Sequence, residues 1–438
     1  MFDPRGNPVS TRSADALAAT ELALWRMMSF YGTPIDDLAS AHAADPRWPL
    51  PLLMHAGFLL SLTEPSLLPE ARLLIDRAEA IAQHANDRER AHAAALRTLA
   101  AGDWPAACDA WEALLLGHPR DALALQWAHL FDFYRGDATS LRQRVARVLP
   151  EWDADDALYP YVLGMHAFGL EECQLYAQAE ATGRRALTGA AQVPWAIHAV
   201  AHVMEMQGRH AEGSAWMAQW HGDWAEGNGF SGHLGWHQAL FALEGLDHAD
   251  ALRAFDAHLR ADLAQITLQR LDAAALLWRL QLLGVDTGTR WAALAAGWDR
   301  SVQATGYYAF NDLHALLALI GSGDLTGAQA WADAVEARAT GSNREVVREI
   351  GAPLMRGLLA YAHGRHDDAI AALYPVRARA SRFGGSHAQR DLIDQTLLAA
   401  SAHGGSTAVG RALLNERRLA KPITPLTEHW AARLATHR

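Results

Sequence analysis

Cysteine is nearly missing from this chain: of 438 residues only Cys108 and Cys173 are cysteine, both in apolar, helix-like context. That argues against a disulfide framework and against a thiolate metal site. A basic excess is missing too. The formal net charge is −11 and the basic residues are scattered rather than striped, so there is no electrostatic footprint for nucleic acid. No run approaches the roughly 18 apolar residues that a membrane span needs. The opening stretch MFDPRGNPVSTRSAD holds no apolar core of signal-peptide length, and the cytoplasm is the expected compartment. Strand-favouring β-branched residues are sparse beside alanine and leucine, which leans the whole chain towards helix. Nucleophile elbow, phosphate loop, dinucleotide fingerprint and His-Glu-x-x-His are missing as well, so the short motifs of acyl, phosphoryl and hydride transfer are absent.

What is present in quantity is apolar surface and a repeat. Hydrophobic residues make up 50% of the chain, enough to bury a sizeable core. The clearest unit is Gly102-Asp103-Trp104 followed by Ala107, Trp111 and Pro119. It reads as a turn glycine, an aromatic, a small residue where two paired helices meet, and a proline that ends the second helix. The turn recurs at Gly136, Gln174, Gly208, Gly245, Gly284, Gly323, Gly364 and Gly404, with gaps of about 34 to 41 residues by subtraction, in the range of helical repeats. Small residues stand five after the turn at Ala107, Ala179, Gly213, Ala328 and Ala369, and one earlier pair fits in phase around Thr63 to Pro65. The expectation is an all-α, TPR-like α-solenoid of about ten antiparallel helix pairs, because no single pair can bury its apolar face alone. It forms one superhelical domain over 1–438, with N-terminal capping helices in 1–45, repeats over 46–410 and a C-terminal cap in 411–438. The longest irregular stretches are GDWAEGNGFSG (Gly222 to Gly232) and RFGGS (Arg382 to Ser386).

Histidine follows the same period. His55, His92, His129 and His166 succeed one another at intervals of 37, His202 and His237 continue at 36 and 35, and His314 repeats the placement before Gly323. Each falls in the helix before the turn, which lines the concave face where such arrays bind. The neighbours at helical spacing are polar. His198, His202 and Glu205 share a face, and so do His233, His237 and Glu244. Arg88 and Glu89 sit one turn before His92, Asp132 one turn after His129, and Asn311 one turn before His314. Arg390 and Asp391 follow His387 by one turn, and Glu171 and Glu172 follow His166 by slightly more. Taken singly, such a histidine is most simply a packing or capping residue, and duplication could copy a packing histidine along the array. Six consecutive repeats in phase argue instead for a shared groove.

Two chemistries suit the pattern. Two His-x3-His pairs in adjacent repeats, His198 with His202 and His233 with His237, could bring four imidazole nitrogens onto one divalent metal (zinc, iron or manganese), with Glu205 or a carboxylate from the next repeat completing the shell; the ligands expected first are His198, His202, Glu205 and His237. Without metal, a histidine beside a carboxylate serves as a general base. The candidate catalytic set is His198, His202, His237, His314, His387, Asp312, Arg390 and Asp391. Candidate ligand-binding residues are Arg88, Glu89, His92, His129, His166, Glu172, His233, Trp236 and Asn311, the arginines being suited to an anionic group. Of the 16 tryptophans most are expected to pack between helices. Trp195, Trp216, Trp220, Trp224 and Trp236 crowd the central repeats, where a large ring with one polar edge could also floor a groove.

Several polar segments lie outside the generic repeat pattern: HAVAHVMEMQGR (His198 to Arg209), GWHQALFALEG (Gly235 to Gly245), FNDLHA (Phe310 to Ala315), GGSHAQRD (Gly384 to Asp391), YVLGMHAFGLEE (Tyr161 to Glu172) and the stretch from Arg88 to Asp137. Together they resemble the tetratricopeptide repeat protein 38 family, from about Asp45 to the last repeat. Met165-His166 departs from that pattern, in which an aromatic is expected at the His166 position. The resemblance implies a single helical-repeat domain and supplies no reaction.

Two function classes stay open. One is a small-molecule enzyme or receptor with a histidine-rich concave pocket, taking a small polar or anionic ligand and acting as a hydrolase, lyase or isomerase by acid–base or metal-assisted chemistry. The other is a non-catalytic scaffold that grips a peptide or protein segment. A small molecule is the first partner expected and a peptide or protein the alternative. Nucleic acid and membrane are not expected, and a homodimer is left open.

Overall fold

Turn chemistry sets the order of elements. The structure, a computed structural model, describes residues 1–301, 304–404, 406–421 and 424–435. Among these every regular element is helical, and β pairing is limited to isolated bridges between Phe2 and Pro8 and between Tyr31 and Asn228. No helix among them is long and apolar enough to cross a membrane. The chain folds as two compact units, residues 1–200 with 226–230, and residues 201–225 with the described residues from 231 onward.

The first unit holds α1 (Ala14–Ser29) and α2 (Ile35–Ala44), then four pairs: α3 (Leu50–Ser61) with α4 (Leu68–Ala80), α5 (Asp87–Ala100) with α6 (Trp104–Gly117), α7 (Ala122–Tyr134) with α8 (Ala138–Val148), and α9 (Tyr159–Glu172) with α10 (Tyr176–Ala186). Helix α11 (Pro194–Met206) begins in this unit and ends in the second. It is followed by α12 (His210–Gln219). Next come α13 (Ser231–Glu244) with α14 (His248–His258), α15 (Thr267–Leu282) with α16 (Arg290–Ala296), and α17 (Ala309–Gly321) with α18 (Leu325–Arg338). Helix α19 (Asn343–Val346) runs through a π-helical turn into α20 (Ala352–Ala362), which pairs with α21 (His366–Arg377). The chain closes with α22 (His387–Ala402), α23 (Thr407–Ala420) and α24 (Pro425–Ala435). Of the segment expected as a C-terminal cap, 411–438, residues 422–423 and 436–438 lie outside the described residues.

Each expected turn holds one residue in the left-handed region, with φ between 56° at Thr63 and 108° at Gly404. At Gly102 (φ 92°) glycine adopts this conformation without the Cβ penalty. The residue after it, Asp103, then caps α6 by accepting from the Ala106 N–H at 3.1 Å. The same aspartate cap follows at Asp137 (Ser140 N–H, 2.9 Å), Asp247 (Asp250 N–H, 2.9 Å) and Asp324 (Gly327 N–H, 2.9 Å). Each such cap stabilises its helix by about 1 kcal/mol. It also fixes the register of the turn. Gly245 was the expected turn glycine, but Leu246 takes the left-handed conformation (φ 59°), since the left-handed residue must directly precede the capping Asp247.

The small positions do the work expected of them. Ala107, Ala179, Ala328 and Ala369 are fully buried. A Cβ built on Gly213 would come within 2.2 Å of the Phe241 ring, so α12 approaches α13 as closely as the missing side chain permits. Within the second unit α13 also packs on α24, and α15 on α22.

An N-terminal arm precedes α1. Arg5 pairs with Asp3 and Glu21, Asn7 donates to the Arg120 carbonyl, and Ser10 bonds Glu89 through both its amide and its hydroxyl. The irregular stretch at 226–230 belongs to the same unit, where Phe230 stacks on Phe30 at 4.9 Å.

Candidate functional site

In the second unit α11 and α13 each present histidines on one face. His202 and Glu205 are three residues apart on α11; His233 and His237 are four apart on α13, one turn in each case. Neighbouring α15 contributes Asp272. His237 Nδ1–H donates to Glu205 Oε2 at 3.0 Å, and His233 Nδ1–H donates to Asp272 Oδ2 at 2.7 Å. His202 meets His237 edge-on, with ring centroids 4.4 Å apart, and His233 meets His237 the same way at 4.9 Å. One ring nitrogen from each of the three lies within 4.8 Å of the other two. This histidine group could hold a metal ion.

Burial sets the protonation states. His202 is fully buried, and burial together with His237, His233, His387 and Arg390 holds it well below the usual histidine range. His237 is lowered too: burial outweighs the hydrogen bond to Glu205 that favours its charged form. Both imidazoles are therefore neutral at pH 7, the form that binds metals and accepts protons. Trp236 stacks on His233 at 5.3 Å and is fully buried. The Arg279 guanidinium lies 5.6 Å from the Trp236 ring centroid and donates to the carbonyls of Ala275, Ala388 and Gln389, which ties α15 to α22.

The remaining expected residues of this unit fall into three places. His387 and Arg390, on α22, lie near enough to His202 to disfavour its charged form, and Arg390 Nη2 lies 3.3 Å from His387 Nδ1. On α17, Asn311, Asp312 and His314 are buried. His314 Nδ1–H donates to the Phe310 carbonyl at 2.8 Å, and burial lowers its pKa to about 4. Burial pushes the Asp312 carboxyl well above the usual range despite the Gly306 N–H that it accepts. Asp391 faces a different group, bonding Arg417 at 3.0 Å and Gln395 at 3.0 Å. Glu244, expected on the histidine face of α13, also accepts from Arg417.

In the first unit the expected residues make the following contacts. Arg88 donates to Asp121 at 2.6 Å and His92 Nε2 contacts the same oxygen at 3.0 Å. Glu89 closes a capping box with Asn86 and also accepts from Ser10 and from Trp48 Nε1. His129 is buried against Phe168 and Trp195, and burial followed by the nearby Arg144 lowers its pKa to about 3. His198 packs among Phe168, Trp195 and Phe230 at 5.1, 5.2 and 4.9 Å. His166 is half-buried and Glu172 buried, both on α9.

Asp272 and Arg279 escaped the sequence reading. Asp272 had a signal, for it stands as far before Gly284 as His233 stands before Gly245. It fills the histidine slot of the next repeat with the carboxylate that the histidine binds. No protein-family model matches the chain.

Proposed function

We propose that the chain is a TPR-like helical-repeat protein whose histidine-lined pocket in the second unit binds a small polar or anionic molecule and acts on it by acid–base or metal-assisted chemistry. Hydrolysis, elimination and isomerisation are the reaction classes that such groups serve. The observation that carries this reading is the pair of histidine–carboxylate dyads, His237 with Glu205 and His233 with Asp272, set around His202. A carboxylate on Nδ1–H fixes the tautomer, leaves the Nε2 lone pair to take a proton or a cation, and stabilises the imidazolium when a proton arrives. Packing alone needs none of this, since a buried apolar side chain fills the same volume without two carboxylates to satisfy. The polar segments that resemble the tetratricopeptide repeat protein 38 family include the α11 and α13 sequences that carry these histidines.

A thermal-shift screen of small carboxylates, phosphates, amides and esters tests the reading, run on wild type and on His237→Gln. The reading expects at least one ligand to stabilise wild type and not the variant. Equal shifts in both proteins, or none in either, would refute it.

One observation favours the scaffold reading for the first unit. Its helix side chains already hold a segment of chain, the N-terminal arm with Ser10 on Glu89, and a peptide segment is the usual cargo of such arrays. A variant lacking residues 1–11 that gains affinity for a peptide of the same sequence would support it.

A further inference from the structure

The reading above leaves acid–base and metal chemistry both open, and the disposition of the carboxylates favours one of them. We propose that His202, His233 and His237 contribute ligands to a single zinc-class divalent cation, with Glu205 and Asp272 as positioning residues rather than ligands.

The donor set argues for the class of metal. Three imidazoles and no first-sphere oxygen suit zinc, cobalt or nickel, whereas magnesium, calcium and manganese prefer oxygen donors. Geometry agrees, because nitrogens within 4.8 Å of one another need only a small closure of the rings. A tetrahedral ion with bonds of about 2.0–2.1 Å sets its ligands ~3.3 Å apart.

The carboxylates argue for the division of roles. Glu205 had been expected as the fourth ligand, but its Oε2 lies 3.0 Å from His237 Nδ1, on the far side of the imidazole from Nε2. Asp272 Oδ2 does the same for His233 at 2.7 Å, while its Oδ1 accepts from Gln389 Nε2 at 3.3 Å and is thereby held in place. Metal-bound histidines characteristically donate their second N–H to a carboxylate, which orients the ring and raises its basicity. Both dyads meet that description. The two carboxylates also offset the double charge of the cation without entering its coordination sphere. A general-base site needs one such dyad; two converging on a third imidazole make a chelate.

Cobalt(II) substitution tests the proposal. Full-length protein stripped with a chelator is titrated with Co(II), then with competing Zn(II), while visible ligand-field absorption is followed. One equivalent of tetrahedral cobalt is expected in wild type and in His366→Ala, which removes a histidine outside the group. His202→Gln, His233→Gln and His237→Gln keep the side-chain volume and lose the bands. Glu205→Gln and Asp272→Asn keep the bands but bind about 10–100-fold more weakly. Circular dichroism melts confirm that each variant is folded. No cobalt or zinc uptake by wild type, or full uptake by a His233→Gln/His237→Gln variant, overturns the metal centre. Wild-type affinity in both carboxylate variants overturns the positioning roles. The broader reading fails separately: if neither metal-loaded nor metal-free protein binds a small molecule that His237→Gln rejects, the small-molecule reading falls while the metal centre stands on its cobalt uptake.

Discussion

Replacing Arg417 with methionine should cost the second unit more stability than any surface change. Arg417 lies on α23 with its side chain only 7% exposed, and it donates to both oxygens of Glu244 (2.9 and 2.8 Å), to Asp391 (3.0 Å) and to Thr427 Oγ1 (3.1 Å). Lys421, the chain's single lysine, adds a contact to Glu244 at 3.4 Å. Burial alone would raise both carboxyls, but Arg417 and Lys421 outweigh it: Asp391 falls to about 2, and Glu244 also ends below its ordinary value. At ~1.4 kcal/mol per pKa unit, the drop at Asp391 corresponds to about 2.5 kcal/mol. Removing one partner of a buried pair strands the other charge and costs about 3–5 kcal/mol in comparable cases. For a unit of this size that lowers Tm by roughly 6–20 °C.

The pH dependence carries the sign. A carboxyl with a depressed folded pKa contributes stability that is present above its unfolded value and lost as pH falls towards the folded one. Wild type therefore loses this contribution between about pH 4 and 2, while Arg417→Met keeps only the smaller part that Lys421 supplies, and the gap between them narrows across that range. Thermal melts of both proteins from pH 7 to 3, with Arg417→Met/Glu244→Gln as a partial rescue, measure it. A cost under about 1 kcal/mol, or a gap that stays constant with pH, would refute the reasoning.

Three further outcomes follow from the same structure. His129, held to about 3, must be protonated as acid unfolds the first unit, so stability falls as pH drops below about 6.5, approaching ~1.4 kcal/mol per pH unit; His129→Leu should flatten that slope in urea titrations. Gln174 is exposed at φ 61°, and Gln174→Gly should stabilise by about 1 kcal/mol in the same assay, with no change meaning that the turn is not strained. Gly213→Ala should destabilise by about 1–3 kcal/mol despite alanine's better helix propensity, because the Phe241 ring occupies the space; a gain in Tm would show that α12 and α13 can move apart.

Local chemistry was legible and long-range pairing was not. The left-handed residue and its aspartate cap are neighbours in sequence, which is why the turns could be placed residue by residue and why the one shift, from Gly245 to Leu246, has a visible cause in Asp247. The histidine period was equally plain, and it marked α11 and α13. It could not say that Glu205 hydrogen-bonds His237, because that depends on how two helices face each other. Asp391 and Glu244 looked like site carboxylates until Arg417 claimed both, and Arg417 is 173 residues from Glu244. Arg88 is likewise engaged by Asp121, and Glu89 by Ser10, 79 residues away. Helical spacing reports which residues share a face, whereas the partner across the interface is set by packing.

Metal content tests the three-histidine group most directly. Tag-free protein, purified without an immobilised-metal column and analysed by plasma mass spectrometry, should carry close to one zinc-class ion per chain. The ion should be lost from His233→Gln/His237→Gln and retained in His366→Ala. Wild type that takes up no ion even after incubation with zinc, or equal metal content in all three proteins, would contradict the metal centre.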